Sequence, residues 1–174
     1  MPPTFKLISS NTLSSTTSSV TFSSIPATYT DLMLRWSARL TVSGRSEFVL
    51  LRFNGSSSTV YSETRLGAQS TTVYTDSQSN TNSGYTLSFA NGATSQSNSF
   101  ASTEIYIPSY TSSVNKPYSV FNVMQDNQHA TRNNVANAEL WRDTTAISTI
   151  LLYPDGGTSF ASGSSFYLYG IKNS

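Results

Sequence analysis

Leu32-Met33-Leu34-Arg35-Trp36-Ser37-Ala38-Arg39 alternates apolar Leu32, Leu34, Trp36 and Ala38 with Met33, Arg35, Ser37 and Arg39. A two-residue period is that of a strand with one face buried, because successive side chains point to opposite faces of a sheet. Helical spacing, three and four residues apart, fails here. The same reading gives short strands near Phe5 to Ile8, Ser19 to Ile25, Glu47 to Phe53, Thr59 to Glu63, Tyr85 to Phe89, Phe100 to Ile107, Tyr118 to Met124, Ala136 to Trp141, Ala146 to Tyr153 and Ser165 to Ile171. Between them stand Ser43-Gly44, Asn54-Gly55, Asn91-Gly92 and Asp155-Gly156-Gly157, residues that tolerate the positive φ of hairpin turns. Pro26 and Pro108 each follow an Ile that ends an apolar run, and both mark strand exits, since proline has no N–H for a central ladder.

Gln69 to Gly84 is the longest polar stretch, and it reads as an exposed loop or short edge strand around Val73 and Tyr74. Ala130 to Ala138 is the one place where a helical turn is expected. Many short strands, frequent turns and no interleaved helices predict an all-β, antiparallel two-sheet β-sandwich of about eight to ten strands. A jelly-roll-like arrangement is preferred to an immunoglobulin-like one, which has seven to nine strands. A single domain over residues 1–174 is expected from the length. Phe48-Val49-Leu50-Leu51 and Ile150-Leu151-Leu152-Tyr153 are apolar in both phases, so their outer sides need a cover, for which a neighbouring subunit is one candidate.

Composition narrows the function. Serine and threonine number 34 and 23 of 174 residues, there is one histidine and no cysteine, and the charged fraction of 11% leaves a net charge of +1. Arg35, Arg39, Arg45, Arg52, Arg65, Arg132 and Arg142 are scattered singly, without the basic stripe that nucleic acid binding requires. Disulfides and thiolate metal sites are excluded by the lack of cysteine. Neither a signal peptide nor a membrane span is expected, because no apolar run reaches the required length. The 12% aromatic content is that of a folding chain and not of a solvated tail.

The opening Phe5-Lys6-Leu7-Ile8-Ser9-Ser10, the segment Ser19-Val20-Thr21-Phe22-Ser23-Ser24-Ile25-Pro26-Ala27-Thr28-Tyr29-Thr30-Asp31-Leu32 and the ending Gly163-Ser164-Ser165-Phe166-Tyr167-Leu168-Tyr169-Gly170-Ile171 resemble a group of small structural proteins of tailed bacteriophages from marine and freshwater sources. The resemblance covers both ends of the chain and fades in the middle. It implies a β-sandwich on the virion surface, often a jelly roll, serving as a head decoration (cement) protein or as part of a tail or fibre. These motifs look like strand and turn, and none marks a ligand site.

Chemistry has few carriers. A Ser-His-Asp triad or a histidine metal site must pass through His129, and no Gly-x-Ser-x-Gly elbow accompanies it, so a hydrogen-bonded loop histidine is expected. Glu104 and Glu139 offer a carboxylate pair if they share a sheet face, as a glycosidase needs, but edge-strand charges explain them as well. Asp155-Gly156-Gly157 and Asp76-Ser77-Gln78 lack the dense acidic spacing of a calcium loop and read as turns. Sugar binding is the competing reading, with Tyr61, Tyr74, Tyr85, Tyr110, Tyr118, Trp36 and Trp141 as stacking aromatics. Trp36 is expected in the core and Tyr74 at the surface. Asn54-Gly55-Ser56 matches a glycosylation acceptor, which an Asn-Gly hairpin turn explains equally.

These readings converge on a non-enzymatic virion protein that binds the major capsid protein on the outer head surface, without cofactor or metal. It is expected as a homotrimer at local three-fold positions. Sheet edges at Phe5, Leu7, Phe166, Leu168 and Ile171 are its expected assembly contacts. The alternative is a tail or fibre module that recognises host glycan through Tyr74.

Overall fold

The computed structural model describes residues 4–69, 71–125 and 133–172. Twelve strands follow in chain order: β1 (Phe5–Thr12), β2 (Val20–Phe22), β3 (Asp31–Ala38), β4 (Ser46–Phe53), β5 (Tyr61–Gln69), β6 (Thr72–Thr81), β7 (Gly84–Asn91), β8 (Ala101–Ile107), β9 (Lys116–Met124), β10 (Asn133–Trp141), β11 (Ile150–Pro154) and β12 (Ser165–Ile171). They form an eight-stranded sheet in the order β1-β12-β3-β8-β9-β10-β5-β6 and a four-stranded sheet in the order β2-β11-β4-β7. Every ladder is antiparallel.

The topology is a jelly roll with an extension. The pairs β1/β12, β2/β11, β3/β8 and β4/β7 alternate between the sheets, as in a long antiparallel ribbon wound around a core. Two hairpins are inserted: β5–β6 between β4 and β7, and β9–β10 between β8 and β11. Both join the large sheet and carry it past the small one as a four-stranded wing.

Alternation places the core. On β3, Leu32, Leu34, Trp36 and Ala38 are all at most 2% exposed and face inward. They meet Val49, Leu51 and Phe53 of β4, Ile105 and Ile107 of β8, and Leu152 of β11 in one apolar cluster. The wing is rooted in an aromatic group, with the Phe53 ring 5.2 Å from Tyr118, 5.3 Å from Trp141 and 6.4 Å from Tyr61. The Phe53 N–H donates to the Tyr61 hydroxyl at 2.9 Å, which gives that buried oxygen a partner.

Of three expectations, one is resolved and two change. Of the two readings of Gln69 to Gly84, loop or short edge strand, the edge strand holds, and it is longer than expected: most of the stretch is the ten-residue strand β6 at the end of the large sheet. Its residues are polar because both of its faces are largely exposed, so no apolar alternation marks it. The helical turn sought in Ala130 to Ala138 gives way to β10 from Asn133, and residues 130–132 lie outside the described residues. Finally, the outer side of the small sheet is half-buried and not open: Leu50 is 5% exposed, and Phe48, Phe89, Leu151 and Tyr153 are half-buried, with Phe48 4.6 Å from Phe89 and Arg52 5.1 Å over Tyr153. The apolar surplus is exposed on the large sheet instead.

Candidate functional site

Strand register assembles the outer face of the large sheet from residues far apart in sequence. One row runs from Arg35 through Glu104, Phe121 and Ala136 to Leu66. The next runs through Ser102, Val123, Asn134 and Ala68 to Val73. Phe121, Val123, Leu66 and Val73 are 50%, 41%, 55% and 70% exposed, and Leu66, Val73 and Phe121 border, with Ala68 and Ala136, a shallow depression of about 280 Å3. Arg35 and Glu104 bound the patch on the jelly-roll side, neutralising each other at 2.6 Å.

Two more shallow depressions lie on the same face. Ser62, Thr64, Ser77, Ser79 and Leu140 help line one of about 420 Å3, and Tyr106, Pro108, Pro117 and Ser119 help line one of about 320 Å3. The outer face of the wing is therefore apolar at one end, rich in hydroxyls at the other, and uncharged between.

Beneath the wing the order is inverted. Glu63 and Glu139 stand directly opposite each other on β5 and β10, at 5% and 4% exposure. The Tyr118 hydroxyl donates to Glu139 Oε2 at 3.0 Å, and the Asn137 amide reaches Oε1 at 3.5 Å. Burial pushes the Glu63 carboxyl up to about 7 against the opposing pull of Arg65. Burial, and then the charge of Glu63, raises Glu139 well above the ordinary carboxylate range. With both ionised, neither Glu63 oxygen has a donor, whereas one proton between two facing carboxyls supplies one. Arg65 sits beside them but is held by Asp76 at 2.5 Å.

The predicted site residues scatter. Phe5 and Leu7 lie on β1, an edge strand, at 42% and 47% exposure. Phe166 and Leu168 are fully buried on β12, which runs between β1 and β3 and is no edge; they belong to the core. Ile171 closes the same interior strand opposite Phe5 and is half-buried. Tyr74 is half-buried, with its ring lying so close over Gly67 that a Cβ there would come within 2.4 Å of it. Its hydroxyl is buried, so it is not an outward-facing stacking platform.

Glu104 and Glu139 are not brought together: Glu104 pairs with Arg35 on the outer face, and Glu139 points inward. Asp155 accepts the N–H of Gly156 in a short turn, with Gly156 at φ 64° and Gly157 at φ 69°. Among the described residues no three His, Cys, Asp or Glu side chains are grouped as metal ligands. His129 and the Tyr85 side chain lie outside what is described.

The carboxyl pair left one signal in the sequence. Glu63 stands two residues from Tyr61 and Glu139 two from Trp141, so an inward-facing aromatic at either position carries its glutamate inward too. Family models, curated proteins and solved structures were each compared with the chain, and none matches.

Proposed function

We propose that the protein is a non-enzymatic component of a tailed-phage particle, a decoration (cement) protein that lies on the head and bridges adjacent subunits of the major capsid protein. The observation that carries this reading is the outer face of the wing, where Leu66, Val73, Phe121 and Val123 form one exposed apolar patch without a charged residue inside it. Apolar surface of this kind, surrounded by neutral polar groups, suits a protein partner better than a charged polymer. Its binding is insensitive to salt, because no net charge is there to screen. Repetition over a lattice adds avidity to each modest contact.

The test has two parts. Quantitative mass spectrometry of purified particles should find a copy number approaching that of the capsid protein. Purified protein should rebind stripped heads at low and high salt, and Leu66→Asp with Phe121→Asp should abolish that binding. A few copies per particle, or unchanged binding by the double variant, overturns the reading.

A second reading, glycan recognition by a tail or fibre module, is favoured by the hydroxyl-lined depression at Ser62, Thr64, Ser77 and Ser79 beside Tyr106 and Pro117. Tyr74 does not serve it, being folded over Gly67. Binding to host surface polysaccharide that is lost on Thr64→Lys, together with a low copy number, selects this reading over the first.

A further inference from the structure

The two sheets have four edges, and three of them are protected in recognisable ways. β2 is only three residues long. β1 carries Lys6 and has a bulge between Leu7 and Ser9. On β7, the Asn122 side chain takes the place of a neighbouring strand: the Phe89 N–H donates to Asn122 Oδ1 at 3.2 Å, and Asn122 Nδ2 donates to the Phe89 carbonyl at 3.0 Å. Shortness, lysine, bulges and side-chain cover are the means by which proteins prevent a sheet edge from recruiting another strand.

β6 has none of these along most of its length. Thr72 to Ser79 pair with β5 in unbroken register, and the shift comes only beyond Ser62 and Ser79, where Asn80 takes a φ of 58°. Between Thr72 and Thr81 there is no lysine, arginine or proline. The one charge, Asp76, is neutralised by Arg65 of the adjacent strand, and this contact holds its carboxyl below the ordinary range. The other side of the strand presents a row of backbone donors and acceptors with no strand beside it among the described residues.

We propose that β6 is a self-association edge, pairing antiparallel with β6 of a second copy across a two-fold axis, so that two large sheets become one continuous sheet. A second copy is the occupant that the charge pattern fits. Self-pairing places like beside like, and a strand with net charge would repel its own copy, whereas β6 offers threonine, serine, glutamine, asparagine, valine and tyrosine with its single carboxylate compensated. Backbone hydrogen bonds supply the affinity, as in other strand additions. A register in which Asp76 faces a neutral residue avoids the one like-charge contact. The pairing also sets the two apolar patches, each ending at Val73 of its own β6, on the same side of one sheet. A closed two-fold pair leaves no β6 free for a third copy, so it differs from the trimer expected from the sequence. It does not depend on the phage reading.

Sedimentation over a concentration series, with hydrogen exchange of the full-length protein at low and high concentration, tests the proposal. The expected result is a species of twice the 18.9 kDa chain mass, with slowed exchange at Thr72–Thr81 as it forms. Val73→Lys with Thr75→Lys, two exposed positions on the outer face of β6, should return the protein to monomer with an unchanged circular dichroism spectrum. Ser10→Lys on β1, also exposed, should leave the dimer intact. A protein monomeric at every concentration, a trimer, or a dimer that survives the double substitution overturns the proposal. So does β6 protection that appears only when phage heads are added, which would assign the edge to a different partner.

Discussion

The jelly-roll half and the wing share one sheet, but the wing buries charged and amide side chains among its inner apolar residues and carries an apolar patch on its outer face. In the jelly roll, Leu34, Leu51, Ile105, Leu152 and Leu168 are fully buried between two sheets. In the wing, Glu63, Asn137, Glu139 and Lys116 are buried on the inner side, while Leu66, Phe121, Val123 and Val73 face outward. Among the described residues, six of the eight buried side-chain atoms without a hydrogen-bond partner, on Glu63, Arg65, Tyr74, Asn137 and Trp141, belong to β5, β6 and β10. Since each such atom costs roughly 1–3 kcal/mol, the wing is expected to be the less stable part, held to the jelly roll by its aromatic root and by the β8/β9 ladder. Stability of this uneven kind lets one region open without the rest.

Two tryptophans give the strongest way to break that contrast. Trp36 is 2% exposed in the jelly-roll core and Trp141 is fully buried at the root of the wing. Trp36→Ala leaves a cavity between the sheets and should cost about 3–5 kcal/mol of global stability. Trp141→Ala removes a ring that packs on Phe53 and Tyr61 and lies 5.7 Å from the Lys116 ammonium. It should speed hydrogen exchange in β10, β5 and β6 while β3 and β12 stay protected. If both variants unfold in one transition with uniform exchange, the wing is not a separate unit.

The same contrast explains what the sequence made legible. Strands buried on one face, such as β3 and β9, announce themselves by alternation, and Asn54-Gly55 marks its turn, with φ of 51° and 67°. β6 stays ambiguous between loop and edge strand because neither of its faces is covered, and the alternation that identifies a strand is a record of burial. Phe166 and Leu168 looked like edge residues because they stand near the chain's end, but edge position depends on which strands lie alongside. β1 returns to pair with β12 in the ribbon, which encloses β12. The apolar outer patch was hidden for the same reason: Leu66, Val73, Phe121 and Val123 come from three strands aligned only by register.

Acidity sharpens the comparison with an intermediate effect. The Glu63 carboxyl is raised from 4.5 to about 7 in the folded protein, and Glu139 is raised further by the same burial. A carboxyl whose folded value exceeds its unfolded one binds more protons when folded. Its contribution is complete below the unfolded value and is lost as pH rises through the folded value. The groups facing the pair are Tyr118 from β9, Asn137 from β10, Arg65 from β5 and Asp76 from β6, and Arg65 is already engaged by Asp76. Thermal stability should therefore fall between pH 5 and pH 8, by on the order of 2 kcal/mol, with exchange accelerating first in β5 and β6. Glu63→Gln should flatten that slope, since an amide supplies the donor without ionising. A slope unchanged in Glu63→Gln and in Glu139→Gln places the titrating group elsewhere.

The smallest expected effect is the most discriminating. Leu66 and Phe121 keep half of their surface in water. A side chain already so exposed contributes little to folding, so Leu66→Ser with Phe121→Ser should move the unfolding free energy by no more than about 0.5 kcal/mol. Wing residues turned inward should behave in the opposite way, because replacing Glu139 or Trp141 disturbs a packed layer. If the double serine variant is as stable as the parent and loses only the partner binding proposed for this face, these two apolar side chains belong to a contact between molecules. If it melts early instead, the outer face of the wing is a second core of this chain, and the contrast between its exposed apolar patch and the buried core of the jelly roll disappears.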